Sequence, residues 1–257
     1  MDNKCHRYLR NAGKLHISCL NFSRMDVEAF VVGILLALGG FLSHRLRKLT
    51  LWGSIGGVLI GGFLYLGTGL PGLLLLAFFF IAGTAATAWK KRTKQIHTTK
   101  ESSQRNLGQV IANGGVAGFL GLASLLYPEY KSICLLMIAG ALSSATADTL
   151  SSELGTLYGR RFYNMLSLER DQRGLDGVVS IEGFMIGVFG SFAIACLHGA
   201  FMGWNVAFLI IIICGTAGNL FDSVLGAALE RRGVLKNNAV NFLNTLLAAL
   251  LALLFGL

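Results

Sequence analysis

The sequence contains few charged residues and almost no proline. Charged residues make up 14% of its 257 residues, against about 25% in an average soluble domain, and only two residues are proline. Hydrophobic residues reach 54%, and the mean hydropathy is +0.62. Such a chain has too little polar surface to cover a soluble globule, and the same composition excludes disorder and collagen. The composition predicts a polytopic membrane protein.

The sequence also has no closely spaced cysteine pairs, and its basic residues are not concentrated in one region. The five cysteines form no CxxC pair and no cluster with histidine, so neither a zinc site nor a disulfide framework is indicated. The net charge is +9, and the basic residues occupy short segments between apolar runs. This distribution favours a membrane surface and phosphate-bearing ligands over nucleic acid as partners.

Long apolar runs dominate the rest of the chain. A membrane-spanning helix needs about 20 mostly apolar residues, and eight segments meet this requirement. They predict an all-α, polytopic transmembrane helix bundle of about eight spans. The predicted spans are 27–43, 51–69, 71–89, 108–127, 132–157, 177–199, 204–229 and 238–256.

Lysine and arginine are distributed unevenly between the predicted spans. The connections 44–50, 90–107, 158–176 and 230–237 hold sixteen of them, whereas the opposite connections hold only Lys131. The positive-inside rule therefore predicts that these four connections are cytoplasmic and that both chain ends lie outside. We expect a multi-pass protein of the cell membrane.

The first residues do not fit this topology. Residues 1–24 carry five basic residues on the predicted outer side, and they contain no apolar run long enough for a signal peptide. Because Met25 directly precedes the first span, we expect 1–24 to be a basic extension upstream of a single membrane domain at 25–257. The alternative is a first span that only dips into the bilayer.

Several spans contain polar residues at one end. Ionisable residues inside a membrane cost about 2.5–3.5 kcal/mol or more near its centre and usually mark functional sites. The fifth span ends with Asp148 and Glu153, which lie about 140° apart on a helix, and the seventh ends with Asn219 and Asp222. In the predicted topology these ends converge on the cytoplasmic side with the polar starts of spans four, six and eight. The starts contribute Asn113, Asp176, Asn238 and Asn241.

Acids without basic partners in the same spans need a cation. Mg²⁺ suits them, because it typically takes one or two carboxylates and leaves its other positions to water and phosphate. We therefore predict Asp148, Glu153 and Asp222 as metal ligands and catalytic residues of a phosphoryl-transfer site. The candidate phosphate-binding residues are Asn113, Arg160, Arg161, Asp176, Asn219, Arg231, Arg232, Asn238 and Asn241.

A weak internal repeat relates the two acidic spans. Residues 145–161 align with 216–232 at an offset of 71, which places Asp148 opposite Asn219 and Ser151 opposite Asp222. The alignment is compatible with a duplicated helix–loop unit in one orientation.

Five motifs in this region resemble a known family. The stretches are ATADTLSSELG at 145–155, QVIANGG at 109–115, GLDGVVS at 174–180, GNLFDSVLG at 218–226 and NNAVN at 237–241. In this order they resemble the transmembrane protein 19-like family, an integral membrane family of bacteria, archaea and eukaryotes, over roughly residues 27–257. The characterised plant branch of that family is phytyl-phosphate kinase.

The resemblance implies a membrane kinase that converts a prenyl or phytyl monophosphate to the diphosphate. Its co-substrate would be a nucleoside triphosphate, CTP or another, and its partners would be the lipid bilayer and a prenyl-phosphate lipid. Two alternatives stay open at this point. Intramembrane carboxylates also serve in ion- or proton-coupled transporters, and a non-catalytic membrane scaffold is the other alternative.

Overall fold

Eight α-helices form the bundle in the computed structural model, which describes residues 27–94 and 104–257. Each is long and apolar enough to cross a membrane. The predicted all-α architecture of about eight spans is therefore confirmed, while the predicted extension 1–24 lies outside the described residues. The helices are α1 (Val27–Arg45), α2 (Leu51–Thr68), α3 (Leu70–Lys94), α4 (Leu107–Leu126), α5 (Lys131–Tyr158), α6 (Ile181–Met202), α7 (Val206–Leu225) and α8 (Asn237–Gly256).

Side-chain caps define where several helices begin. Asn106 and Gln109 form a reciprocal capping box at the start of α4, with both hydrogen bonds at 3.0 Å. Ser180 Oγ accepts a hydrogen bond of 3.0 Å from the backbone N–H of Gly183 at the start of α6. These bonds satisfy backbone N–H groups that a helix leaves without partners in its first turn.

The sixth helix begins later than predicted. The predicted span started at 177, but α6 starts at Ile181, because Val178–Val179 forms a short strand, β2, that pairs antiparallel with β1 (Tyr163–Asn164). Gly174 and Gly177 have positive φ values of 87° and 69° just before β2. Such values interrupt a helix, so the apolar run cannot extend upstream as one.

Helix α5 occupies the centre of the bundle. It packs against α3, α4, α6, α7 and α8, and Leu135, Ile138 and Leu142 on its first half are completely buried. On its α8 side, Gly140 permits close approach, since a methyl group there would lie 2.9 Å from the Ala248 carbonyl oxygen. The middle of α5 is thereby held inside the bundle, surrounded by the other helices.

The polar ends of five helices meet at one end of the bundle, as predicted. This end contains the starts of α4, α6 and α8 and the last turns of α5 and α7. A single π-helical turn, Gly226–Glu230, follows α7 directly. We call the end of the bundle that carries the connections 46–50, 159–180 and 226–236 the basic end.

Candidate active site

Two aspartates from neighbouring helices meet at the basic end. Asp148 lies on α5 and Asp222 on α7, and their carboxyl groups are in hydrogen-bonding contact. We call them the aspartate pair. Two carboxylates this close repel each other strongly. The contact is favourable when the two groups share a proton or when a cation lies between them. The pair therefore needs one or the other.

Two asparagines on α8 hold one member of the pair. Asn244 Nδ2 donates to Asp222 Oδ2 over 2.6 Å. Oriented with its amide nitrogen toward the same oxygen, Asn241 donates to it over 3.2 Å. The orientation of Asn244 is set from the other side, since its Oδ1 accepts a 3.2 Å hydrogen bond from Ser144 Oγ. Asp222 thus has a fixed position, with one oxygen occupied by amide donors.

A second contact joins the same two helices. Ser151 Oγ on α5 lies 3.0 Å from Asn219 Oδ1 on α7 and donates to it. In the internal repeat, Asp148 corresponds to Asn219 and Ser151 to Asp222. Asp148 of the first copy therefore contacts the counterpart of Ser151, which is Asp222. Ser151 in turn contacts the counterpart of Asp148, which is Asn219. This crosswise pairing is the pattern that a two-fold relation between the copies produces.

A glycine on α6 leaves room for the Asn219 amide. A methyl group at Gly187 would lie 2.5 Å from Asn219 Nδ2 and 3.3 Å from Ser151 Cβ. Real Cβ atoms essentially never have a contact of 2.5 Å, so any larger residue at Gly187 would displace the Asn219 amide. Helix α6 thus supports the α5–α7 contact from behind.

The aspartate pair lines a cavity of about 700 Å³. Its polar lining includes the aspartate pair together with Asp176, Asn219 and Glu230. Its apolar lining comes from Phe162, Leu168, Leu175, Ile181 and Phe184. The cavity therefore presents acids and amides on one part of its wall and hydrocarbon on another, which suits an amphipathic ligand with a polar head.

The connection between α5 and α6 covers this cavity. Residues 159–180 contain the β1–β2 pairing, and Asp171 in this connection forms a 2.7 Å ion pair with Arg231 beyond α7. Hydrogen bonds from the Gln172 backbone N–H and from Arg231 lower the pKa of Asp171. At its other end, Gly177 lies directly against Ala227 in the π-helical turn. The cover is thus fixed to the segment that follows α7.

Glu153 is placed apart from the aspartate pair. Its Oε2 lies 3.1 Å from Lys90 Nζ, and its Oε1 accepts a 3.3 Å hydrogen bond from Thr87 Oγ1 on α3. The cause is the helical spacing, because five residues turn Glu153 about 140° from Asp148. The structure does not assemble the predicted three-carboxylate set. Among the described residues, no three His, Cys, Asp or Glu side chains are grouped to hold a metal ion.

The predicted arginines lie outside the cavity lining. Arg160, Arg161 and Arg232 are exposed. Arg231 is engaged with Asp171. The structure therefore places these four side chains in the connections at the basic end, outside the cavity that the aspartate pair lines.

Two predicted asparagines also lie outside the lining. Asn113 Nδ2 donates to the Gln109 carbonyl one turn earlier in α4, over 3.0 Å. Asn238 lies against the start of α4, where a methyl group at Gly108 would be 2.8 Å from its Nδ2. Of the predicted phosphate-binding residues, the structure brings Asp176 and Asn219 into the cavity and Asn241 to Asp222.

Three residues at the site were not among the predicted site residues. Asn244 lies about one turn beyond the predicted Asn241 on the eighth span, and nothing in the sequence singles it out. Lys90 lines the cavity, yet in the sequence it is one of several lysines in a basic connection. Glu230 belongs to a π-helical turn, which has no recognisable sequence signal.

The aspartate pair fits the ligand chemistry of Mg²⁺. In proteins this ion usually takes one or two carboxylates and completes its octahedron with phosphate oxygens and water. Asp148 and Asp222 supply that number of ligands in the cavity wall, and Asp222 Oδ2 is already held by amides. The donor set does not fit an all-protein cage.

The fold and the site define a class of protein. This is a multi-pass, all-α integral membrane protein with paired carboxyl groups in a covered cavity at one end of the bundle. Residues 34–249 match the integral membrane protein family DUF92, so the chain belongs to this family. The transmembrane protein 19-like designation stays a prediction.

Curated relatives occur in archaea, bacteria and plants. The chain is 31% identical over 235 residues to uncharacterized membrane protein MJ0933 of Methanocaldococcus jannaschii, covering 89% of this chain and 94% of that one. It is 31% identical over 230 residues to uncharacterized membrane protein sll0875 of Synechocystis, covering 85% and 86%. It is 29% identical over 206 residues to the chloroplastic protein VTE6 of Arabidopsis thaliana, covering 76% of this chain and 62% of that protein. No solved structure matches the chain.

Proposed function

We propose that the protein is a Mg²⁺-dependent membrane kinase that transfers a phosphoryl group from a nucleoside triphosphate to a prenyl or phytyl monophosphate. The observation that carries this proposal is the aspartate pair, which needs a shared proton or a cation and faces a cavity with both polar and apolar walls. The resemblance to the family of phytyl-phosphate kinase supports the same reaction.

Asp148 and Asp222 are the residues that would hold Mg²⁺. When bound, the ion neutralises the charge of the phosphates and brings donor and acceptor together. Asn241 and Asn244 keep Asp222 oriented, and Asn219 offers its amide nitrogen to a phosphate oxygen. The exposed arginines of the connections at the basic end, with Lys90 in the cavity lining, supply the positive charge that attracts nucleotide and lipid phosphates.

No side chain acts as the nucleophile in this reaction. An oxygen of the acceptor monophosphate attacks the γ-phosphorus of the nucleotide, the bond to the β-phosphate oxygen breaks, and the nucleoside diphosphate leaves with that electron pair. The phosphate acceptor is already an anion at neutral pH, so no base is required. The protein then contributes positioning and charge neutralisation, which are the main sources of catalysis in phosphoryl transfer.

The apolar wall of the cavity would receive the hydrocarbon tail of the acceptor. Leu168 and Ile181 line the cavity and are also 72% and 71% exposed at the surface of the bundle. The apolar lining therefore continues from the cavity to the outside of the protein. A prenyl chain would follow this route into the surrounding lipid while its phosphate stays near the aspartate pair.

The basic end is proposed to face the cytoplasm. The sixteen-to-one distribution of lysine and arginine between connections supports this orientation, and it gives the site access to cytoplasmic nucleotide. A cysteine replacing Arg232, in a variant without the natural cysteines, should react with an impermeant maleimide only after the membrane is opened. Labelling in intact cells would reverse the orientation.

A turnover assay tests the proposed reaction. Purified protein in lipid nanodiscs is incubated with γ-labelled nucleotides and prenyl monophosphates of increasing chain length, and labelled prenyl diphosphate is the expected product. Asp148→Asn and Asp222→Asn should each lower its formation at least about 10²-fold, the scale of losing a key electrostatic contact. Glu129→Gln, at an exposed acid in the opposite connection, is the matched control. Absence of product from every prenyl monophosphate with well-folded protein would overturn the proposal.

A cation- or proton-coupled transporter is the second candidate, because it would use the same buried pair. One observation weighs against it. The residues that line the cavity all lie at the basic end, and beyond them Leu142, Ile194 and Ile211 close the centre of the bundle with completely buried side chains. A flux of prenyl phosphate or cation across sealed vesicles, without diphosphate formation, would favour the transporter.

A further inference from the structure

A small basic pocket lies at the same end of the bundle as the aspartate cavity but is separate from it. It is formed by α3 and by the segments that precede α2 and α4, and its volume is about 70 Å³. Its polar lining consists of Lys48, Thr84, Thr87, Lys91 and Arg105. A cavity that holds one water molecule needs roughly 10–15 Å³ of this kind of volume, so the pocket has room for one phosphate group.

Backbone hydrogen bonds hold two of these cations side by side. The N–H of Arg105 donates to the carbonyl of Lys48 over 2.9 Å, and the N–H of Thr50 donates to the carbonyl of Arg105 over 3.1 Å. Asn106, the next residue, is fixed by the capping box of α4. These backbone hydrogen bonds fix the two segments side by side, so the backbone positions of Lys48 and Arg105 in the pocket are set.

The Arg105 side chain lies flat against α3. Its guanidinium carbon is 5.8 Å from the centre of the Phe79 ring, a cation–π distance. A methyl group at Gly83 would lie 2.9 Å from Arg105 Nη2, so only glycine gives the guanidinium this position. Burial lowers the pKa of Arg105 below its usual range, and the charge of Glu153 partly opposes this effect.

Among the described residues, no carboxylate forms an ion pair with the three cations of the pocket. In the described ranges 27–94 and 104–257, the ion pairs are Lys90 with Glu153 and Asp171 with Arg231, and none includes a residue of this pocket. Glu153, the acid that interacts with Arg105 electrostatically, is held by Lys90 and Thr87. Three cations and the Thr84 hydroxyl converge in this pocket, and no acid is among the described residues that line it. This combination is suited to bind phosphate, and arginine binds it through two parallel N–H groups.

We propose that this pocket is a second phosphate-binding site, in which Arg105, Lys48 and Lys91 contact phosphate oxygens and the Thr84 hydroxyl adds a hydrogen bond. The phosphate belongs to a soluble nucleotide or to an anionic lipid headgroup. A chain of contacts links the pocket to the cavity, because Thr87 in the pocket donates to Glu153, which is paired with Lys90 in the cavity wall. The proposal does not depend on the kinase reaction.

Binding of labelled pyrophosphate in EDTA isolates this site, because a site built on the aspartate pair needs a divalent cation. The full chain is placed in nanodiscs of phosphatidylcholine, and saturable binding is expected. Arg105→Gln should weaken it at least about tenfold, the scale of losing charge-assisted hydrogen bonds. Lys91→Gln, at an exposed position, should weaken it several-fold. Arg45→Gln, which alters an exposed arginine at the end of α1, should leave it unchanged.

The outcomes separate the two phosphate sources and the proposal from its failure. Loss of pyrophosphate affinity in nanodiscs that contain phosphatidic acid would assign the pocket to a lipid headgroup, and no change would assign it to a soluble phosphate. Absence of saturable binding in both kinds of nanodisc would overturn the proposal. Equal binding by Lys91→Gln and wild type would also overturn it, even if Arg105→Gln failed to fold.

Discussion

Replacing Asp148 with asparagine should change both the stability of the protein and its response to Mg²⁺. In EDTA, two ionised carboxyl groups about 4 Å apart repel each other by about 4 kcal/mol at an effective dielectric constant of 20. This value is an upper bound, because a shared proton relieves part of the repulsion. Asp148→Asn removes the charge and lets the new amide donate to Asp222. We therefore expect the variant to be more stable than wild type in EDTA.

Mg²⁺ should stabilise the wild type and have no effect on the variant. A cation that binds only the folded state stabilises it by about 2.7 kcal/mol at a hundredfold excess over its Kd. For a chain of this size one kcal/mol corresponds to roughly 2–4 °C, so the wild type should melt about 5–10 °C higher in Mg²⁺ than in EDTA. Asp148→Asn should show no such rise, because half of the proposed ligand pair is missing.

Thermal unfolding of the purified protein in detergent, followed by tryptophan fluorescence, measures both effects. Glu129→Gln, at the opposite end of the bundle, should respond to Mg²⁺ as the wild type does. The reasoning is refuted if Asp148→Asn is less stable than wild type in EDTA, because the carboxyl group would then be a structural anchor. It is also refuted if wild type melts at the same temperature with and without Mg²⁺.

Two further predictions concern the cover of the cavity and the packing behind the site. Because the pKa of Asp171 is lowered in the folded protein, the stability of its ion pair with Arg231 is present above about pH 4 and lost as the pH falls through the lowered pKa. Hydrogen exchange in 165–175 should therefore be constant from pH 5 to 8 after correction for intrinsic rates, and Arg231→Gln should raise it at neutral pH. An unchanged exchange rate in that variant would show that other contacts hold the cover. Gly187→Ala should destabilise the protein by about 1–3 kcal/mol by displacing Asn219, whereas Gly33→Ala, with open space around it, should be neutral or slightly stabilising in thermal unfolding. Equal stability of the two variants would contradict the close packing behind Asn219.

Helix positions were largely predictable, because the hydrocarbon thickness of a bilayer fixes the length of an apolar run. The predicted span 51–69 begins at the same residue as α2 and ends one residue later, and the predicted span 108–127 begins and ends one residue after α4. The sixth span was predicted to begin too early, since Gly177, Val178 and Val179 are apolar enough to continue a helix. Only the positive φ of Gly177 and the pairing with β1 exclude it, and a two-residue strand has no periodicity that hydropathy could reveal.

The parts of the site that depend on the position of a residue along its own helix were predictable from the sequence. The parts that depend on contacts between distant segments were not. Asp148 and Asp222 lie at the same depth on two spans, so their convergence followed from topology. The helical wheel already separated Glu153 from Asp148, and this geometry prevailed over the chemical expectation that three acids share one metal. The partnership of Lys90 with Glu153 depends on how α3 packs against α5, which no local pattern encodes.

The crosswise contacts between α5 and α7 fix the position of these two helices along each other. Moving either helix by one turn, about 5.4 Å, would break the Asp148–Asp222 and Ser151–Asn219 contacts together, because both join the same two segments. No intermediate register would preserve one of them. The geometry of the carboxyl groups and the register of the bundle are thus a single property, and a displacement that altered one would be transmitted to the other.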